Sequence, residues 1–161
     1  MRSILREKSQ DFFRILQHDR SEWKDFWKEY CEENREFMSG YNKKLALDDN
    51  TLDKILKNTG RPFLDRIKQK NDEIKHLKQK AAKIINEFSL ELELTQEDFV
   101  IYLIGALGIK DVVTFESDEG LIVLIDIVSL CKNNRIEQLQ DIVLVSAKDA
   151  RRILNQKQEV S

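Results

Sequence analysis

Leu121-Ile122-Val123-Leu124-Ile125-Asp126-Ile127-Val128 follows Asp111-Val112-Val113-Thr114-Phe115-Glu116 across the polar link Ser117-Asp118-Glu119-Gly120. Two β-branched runs around a link that ends in glycine predict a β-hairpin. Just upstream, Phe99-Val100-Ile101-Tyr102-Leu103-Ile104 is apolar on both faces, as a central strand is. A helix is the alternative at 99–107, because Thr95 and Asp98 form a capping-box-like pair and Gly108 would close it. Downstream, Ile136, Leu139, Ile142, Val143 and Ile153 place an amphipathic helix over roughly 136–156. The C-terminal half therefore reads as a small sheet closed by a helix.

The N-terminal half has a different texture. Leu5, Phe12, Leu16, Trp23, Phe26, Tyr30 and Phe37 lay one apolar stripe along a helical unit over 2–38. Asp19 followed by Glu22 offers a fresh start, so a break near His18 is expected. A short helix over 51–58 is stopped by Gly60, and Pro62 suits the first turn of the next. In that next helix, about 62–88, Ile67, Ile74, Ala81 and Phe88 stand seven apart, with Lys70 interrupting the companion positions Phe63, Leu77 and Ile84. The two stripes predict a long antiparallel helical hairpin within one chain, and a coiled-coil pairing between chains is the alternative. The fold class expected is helix-rich α+β in a single domain over 1–161. Residues 1–88 form its helical hairpin part and 89–161 its small α+β part.

Of the 161 residues, 41% are hydrophobic and 35% charged, with one proline and five glycines, a profile that favours long helices. The formal charge is −2, but residues 61–87 carry eight Lys/Arg against four Asp/Glu, while 88–161 carry seven against thirteen. That asymmetry suits a basic arm beside an acidic body. Cys31 and Cys131 lack ligand or disulfide spacing and fit a reducing cytoplasm. No signal peptide and no membrane span are expected, because every apolar run is too short. Nucleic-acid binding is not expected either: the lysine-rich helix carries no base-stacking aromatics.

Chemistry has few candidates. His18 and His76 are the two histidines, on the break and on an outer heptad position, and both read as surface residues. Cys131 reads as an inert buried thiol, with nucleophile beside Lys132 as the alternative. Glu116, Asp118 and Glu119 gather at the hairpin turn, where oxygen-rich turns can hold Mg²⁺ or Ca²⁺. No EF-hand spacing is present, and solvation of an exposed tip is the plainer reading. Asp126 stands alone in an apolar strand, so it must reach water, find a donor or shift its pKa upward. Either it faces solvent from an edge strand, or it is buried in a pair with a Lys or Arg. No phosphate loop exists. No catalytic residue, metal ligand or cofactor is assigned.

Ile101-Tyr102-Leu103-Ile104-Gly105, the hairpin and the helix entered by Ile142-Val143-Leu144-Val145-Ser146 resemble part of the predicted zinc-dependent bacterial proteases of the gluzincin type. Trp23-Lys24-Asp25-Phe26-Trp27-Lys28-Glu29-Tyr30 is similar to their N-terminal region. The resemblance implies a helical N-terminal half and a sheet edge lying over the helix that bears His-Glu-x-x-His. That motif is missing here: Ala147 and Arg151 stand where the histidines belong, and Lys148 where the glutamate belongs. Alanine cannot ligate, and arginine and lysine repel a cation. The expectation is a non-catalytic, protein-binding or regulatory protein on a degenerate peptidase-like scaffold. Its alternatives are a hydrolase-related protein that needs a partner chain, and a self-associating coiled-coil protein.

Overall fold

A computed structural model describes residues 4–15, 17–93, 98–118 and 120–160. Its β-structure is one four-stranded mixed sheet. The hairpin is present: β3 (Val112–Ser117) runs antiparallel to β4 (Gly120–Asp126), with Ser117 opposite Gly120. Residues 99–104 form a strand, β2 (Phe99–Ile104), parallel to β4 and in register from Phe99–Leu121 to Ile104–Asp126. The two-sided apolar character of Phe99–Ile104 decides for strand, since every β4 side chain from Leu121 to Asp126 is buried as well. Thr95 of the helical alternative lies outside the described residues.

One strand comes from an unexpected place. β1 (Leu5–Glu7) pairs parallel to β2, Leu5 opposite Ile101 and Glu7 opposite Leu103. Sheet order is therefore β1-β2-β4-β3. The stripe expected over 2–38 breaks into this strand and three helices, α1 (Ser9–Ile15), α2 (Trp23–Glu33) and α3 (Arg35–Lys44). The break near His18 is real, with a 3-10 turn at Arg20–Glu22. Leu16 of the stripe lies outside the described residues. α4 (Asp49–Asn58) starts at Asp48, whose side chain accepts from the Thr51 N–H at 2.7 Å.

The expected helix over 62–88 is two helices, α5 (Arg61–Gln69) and α6 (Asn71–Glu91), joined at Lys70. Lys70 is exposed at the junction; the charge that interrupts the heptad is where the helix breaks. α6 is the long helix, and its buried Ile74, Ala81 and Ile85 face a partner other than the one expected. It packs on α8 (Leu139–Val160) rather than on the first unit, so the long hairpin of the N-terminal half is replaced by an α6–α8 pair. The physical reason is that Trp23, Trp27, Tyr30 and Phe37 are spent on the sheet side and on one another. α7 (Ile127–Lys132) takes the end of the β-branched run, because Asp126 caps it. Helix-rich α+β, with a β-hairpin and a C-terminal helix, describes the result.

One continuous set of buried side chains runs from Ile4 to Ala150. α3 covers the sheet through Phe37, whose ring stacks on Tyr102 at 4.5 Å. α8 packs against β2 and β4. No helix among the described residues is long and apolar enough to cross a membrane.

Candidate functional site

The three parallel strands β1, β2 and β4 end at the same edge of the sheet, and each hands over to a segment that lines one cavity. From β1 the chain enters α1, which contributes Phe12 and Ile15. From β2 it enters the link 105–109, and from β4 it enters α7, which contributes Val128 and Lys132. A crevice at the carboxyl ends of parallel strands is the usual place for a ligand in an open α/β sheet. The cavity measures about 650 Å³, within the size range of sites that enclose a small organic molecule.

Aromatic side chains build its wall. Trp23 and Trp27 come from α2, and Phe63 from α5. Behind them Tyr30 packs on Phe12 at 6.0 Å and Tyr41 on Trp27 at 6.3 Å, both edge-on. The Tyr30 and Tyr41 hydroxyls are buried and make no hydrogen bond of good geometry. Burial pushes both phenols above their ordinary range, and the Asp126 charge adds to it.

α4 forms the roof through Thr51, Lys54, Ile55 and Asn58, positions three, four and seven apart on one helix face. Only Leu52 of α4 is fully buried. Arg20 fastens its C-terminal end, donating to the carbonyls of Leu56 at 3.1 Å and Thr59 at 2.7 Å while its guanidinium lies over Trp23. Ion pairs Lys24–Asp53 at 2.8 Å and Lys28–Asp49 at 3.5 Å tie α4 to α2. The charged side chains on the cavity lining are Lys54 and Lys132, both exposed; no carboxylate lines it among the described residues.

Asp126 sits immediately behind the cavity floor. β4 is flanked by β2 and β3, so Asp126 is on a central strand rather than an edge, and it is 1% exposed. Nor does it pair with a Lys or Arg among the described residues. Its Oδ1 accepts from the backbone N–H of Ala106 at 3.1 Å and of Val128 at 2.9 Å, and its Oδ2 from Gly108 at 2.9 Å. A carboxylate thus binds the 105–109 link to the start of α7. Burial pushes the carboxyl up to about 7, against the pull of the amides of Gly108, Ala106, Ser129 and Val128. Gly108 turns the link at φ +71°, and Gly105 lets the Phe12 ring approach to where a Cβ would stand 2.7 Å away.

The other acidic positions do different work. Glu116 and Asp118 are exposed, and Glu116 is ion-paired to Lys157 of α8; Glu119 lies outside the described residues. Asp111, which was not singled out from the sequence, accepts from Ser129 Oγ at 2.6 Å and Asn133 Nδ2 at 3.0 Å and pairs with Arg135. Burial opposes its charge, but these donors outweigh burial and hold the carboxyl below its usual range. Its only sequence signal was a carboxylate beside the first residue of a strand.

Among the described residues no histidine, cysteine or carboxylate lines the cavity. His18 is exposed and stacks on Phe26 at 4.0 Å, and His76 is exposed on α6. Cys131 is half-buried, and burial pushes its thiol up to about 11. A Ser–Lys pair does exist that the sequence did not suggest: Lys78 Nζ donates to Ser9 Oγ at 2.6 Å. It is no nucleophile–base pair, because Ser9 is 0% exposed and Lys78 is ion-paired to Glu7 at 3.1 Å. Among the described residues no group of three His, Cys, Asp or Glu could hold a metal ion. On α8, Ala147 is buried in the core, Lys148 is exposed and Arg151 borders a shallow groove with Phe88 and Leu92. These residues do not fit a zinc ion.

No protein-family model, curated protein or solved structure matches this chain.

Proposed function

We propose that the chain is a non-catalytic binding or regulatory protein whose site is the cavity at the carboxyl edge of its sheet. One observation carries the reading. Three strand ends converge on a cavity of about 650 Å³ walled by aromatics, and among the described residues its lining holds no histidine, cysteine or carboxylate. Such a site recognises apolar shape and does no chemistry on it. Kinship with gluzincin-type proteases stays a proposal about the scaffold. On that view α8 keeps the helix but carries Ala147, Lys148 and Arg151 in place of ligands and base. A cytoplasmic location belongs to the same proposal, on the strength of two unpaired cysteines.

Amide chemical shifts during titration with small apolar fragments test the reading. Shifts at Ala106, Gly108 and Thr51 are expected; a spectrum unmoved at millimolar fragment sinks it. Stoichiometric zinc in the purified protein would instead favour the alternative of a hydrolase-related chain.

A protein partner is the second reading. Leu90 is 69% exposed at the end of α6 and Val145 55% exposed on α8. Two exposed apolar side chains on paired helices suit a docking surface. Co-purification at native expression level should recover a partner, and light scattering at two concentrations separates this from self-association.

A further inference from the structure

We propose that the occupant of the cavity is an amphipathic acid, a small molecule with an apolar body and one anionic end held by Lys54 and Lys132. The inference rests on the cavity being a binding site, and adds the chemical class of what it binds. Its argument starts from an imbalance of charge. The chain as a whole is acidic, at −2, and its C-terminal half more so. Yet the cavity lining carries two cations and no carboxylate among the described residues. Neither lysine is in a direct ion pair among those residues, although Lys54 and Asp48 feel each other's charge, and both side chains are exposed to solvent.

The two cations also come from opposite sides. Lys54 projects from the roof, α4, and Lys132 from the last turn of α7 beside the floor. Below them the lining is aromatic, with Trp23, Trp27 and Phe63. An apolar body is therefore buried at the base of the cavity, where transfer from water contributes roughly 25 cal/mol per Å². The anionic end stays at the mouth, where two exposed ammonium groups attract it without the cost of burying a charge. Asp126 is not on the lining; it sits behind the floor, its two oxygens accepting from three backbone N–H groups.

Both tryptophans of the chain stand in this wall, so fluorescence excited selectively at tryptophan reports on the cavity. The experiment titrates the full chain with decanoate and with 1-decanol, an acid and a neutral molecule of matched apolar body. Decanoate is expected to bind at least tenfold more tightly than the alcohol at low salt. The double substitution Lys54→Gln, Lys132→Gln, which removes the charges and keeps most of each stem, should bring the two within about twofold. Both lysines are exposed, so the fold is retained, and an unchanged melting temperature checks that. Equal affinity of acid and alcohol for the natural chain overturns this inference and leaves the binding reading standing. Failure of both to perturb the tryptophans overturns the two together.

Discussion

Replacing Asp126 by alanine should be the most damaging single substitution at the site, and its cost follows from the hydrogen bonds it removes. Three backbone N–H groups, of Ala106, Gly108 and Val128, lose their acceptor. All three lie where water does not reach Asp126, which is 1% exposed. An orphaned buried donor costs about 1–3 kcal/mol. With some relaxation of the 105–109 link, a total of about 3–5 kcal/mol is expected, a large part of a normal folding free energy of roughly 5–15 kcal/mol. Asp126→Asn keeps one acceptor oxygen and turns an NH₂ toward a donor, so about 1–3 kcal/mol is expected. Urea unfolding gives both numbers.

A second readout comes from pH. Folding lifts the Asp126 carboxyl from 3.8 to about 7, so the folded chain favours its protonated form. The associated stability is fully present below about 3.8 and is lost as pH rises toward about 7. At ~1.4 kcal/mol per unit, the natural chain should lose about 2 kcal/mol between roughly pH 5 and 7. Asp126→Asn should flatten that slope. An alanine variant costing under about 1 kcal/mol, or an asparagine variant with the natural pH slope, would refute the account of Asp126 as the clamp.

Gly105→Ala sets a methyl 2.7 Å from the Phe12 ring; overpacking should cost about 1–3 kcal/mol by urea unfolding and weaken fragment binding by narrowing the cavity. Cys131, its thiol pushed up to about 11 by burial, should react with a thiol reagent at about pH 8 on the order of 100-fold more slowly than a free cysteine, and at the ordinary rate in denaturant. Lys78→Met leaves Glu7 and Ser9 without their ammonium partner, and about 1–2 kcal/mol should be lost, discounted because Glu7 is 35% exposed. Adding Glu7→Gln should recover part of that loss; a strictly additive double variant would show that the two side chains do not interact.

The hairpin, the helix-rich class and the C-terminal helix were legible because each is written in a local period. Val112–Glu116 and Leu121–Ile125 are short β-branched runs with a turn between them, and few other structures suit that pattern. What stayed hidden was set by distant residues. Leu5-Arg6-Glu7 is too short to carry a strand period, and its apolar positions merge with the helical stripe after it; only the unpaired edge of β2 makes it a strand. The choice of partner for α6 was equally silent, since an apolar face names no counterpart. Asp126 was recognised as anomalous, but both readings treated the strand as ending later than it does. The side chain that looked like a mid-strand charge is the cap of the next helix. The cavity was illegible for the same reason, being assembled from α1, α2, α4, α5, α7 and three connecting links.

The parallel pairing of β1 with β2 sets the order in which this molecule is able to assemble. Leu5 meets Ile101 only after the whole intervening run of helices is made, and closing so long a loop carries an entropy cost that grows with the logarithm of its length. During synthesis the first helices leave the ribosome well before the strands they cover exist. The hairpin and β2 are close in sequence and have every reason to pair first. Leu5–Glu7, contributing three residues to one edge, arrives last, and its amides should be the first of the sheet to exchange with deuterium.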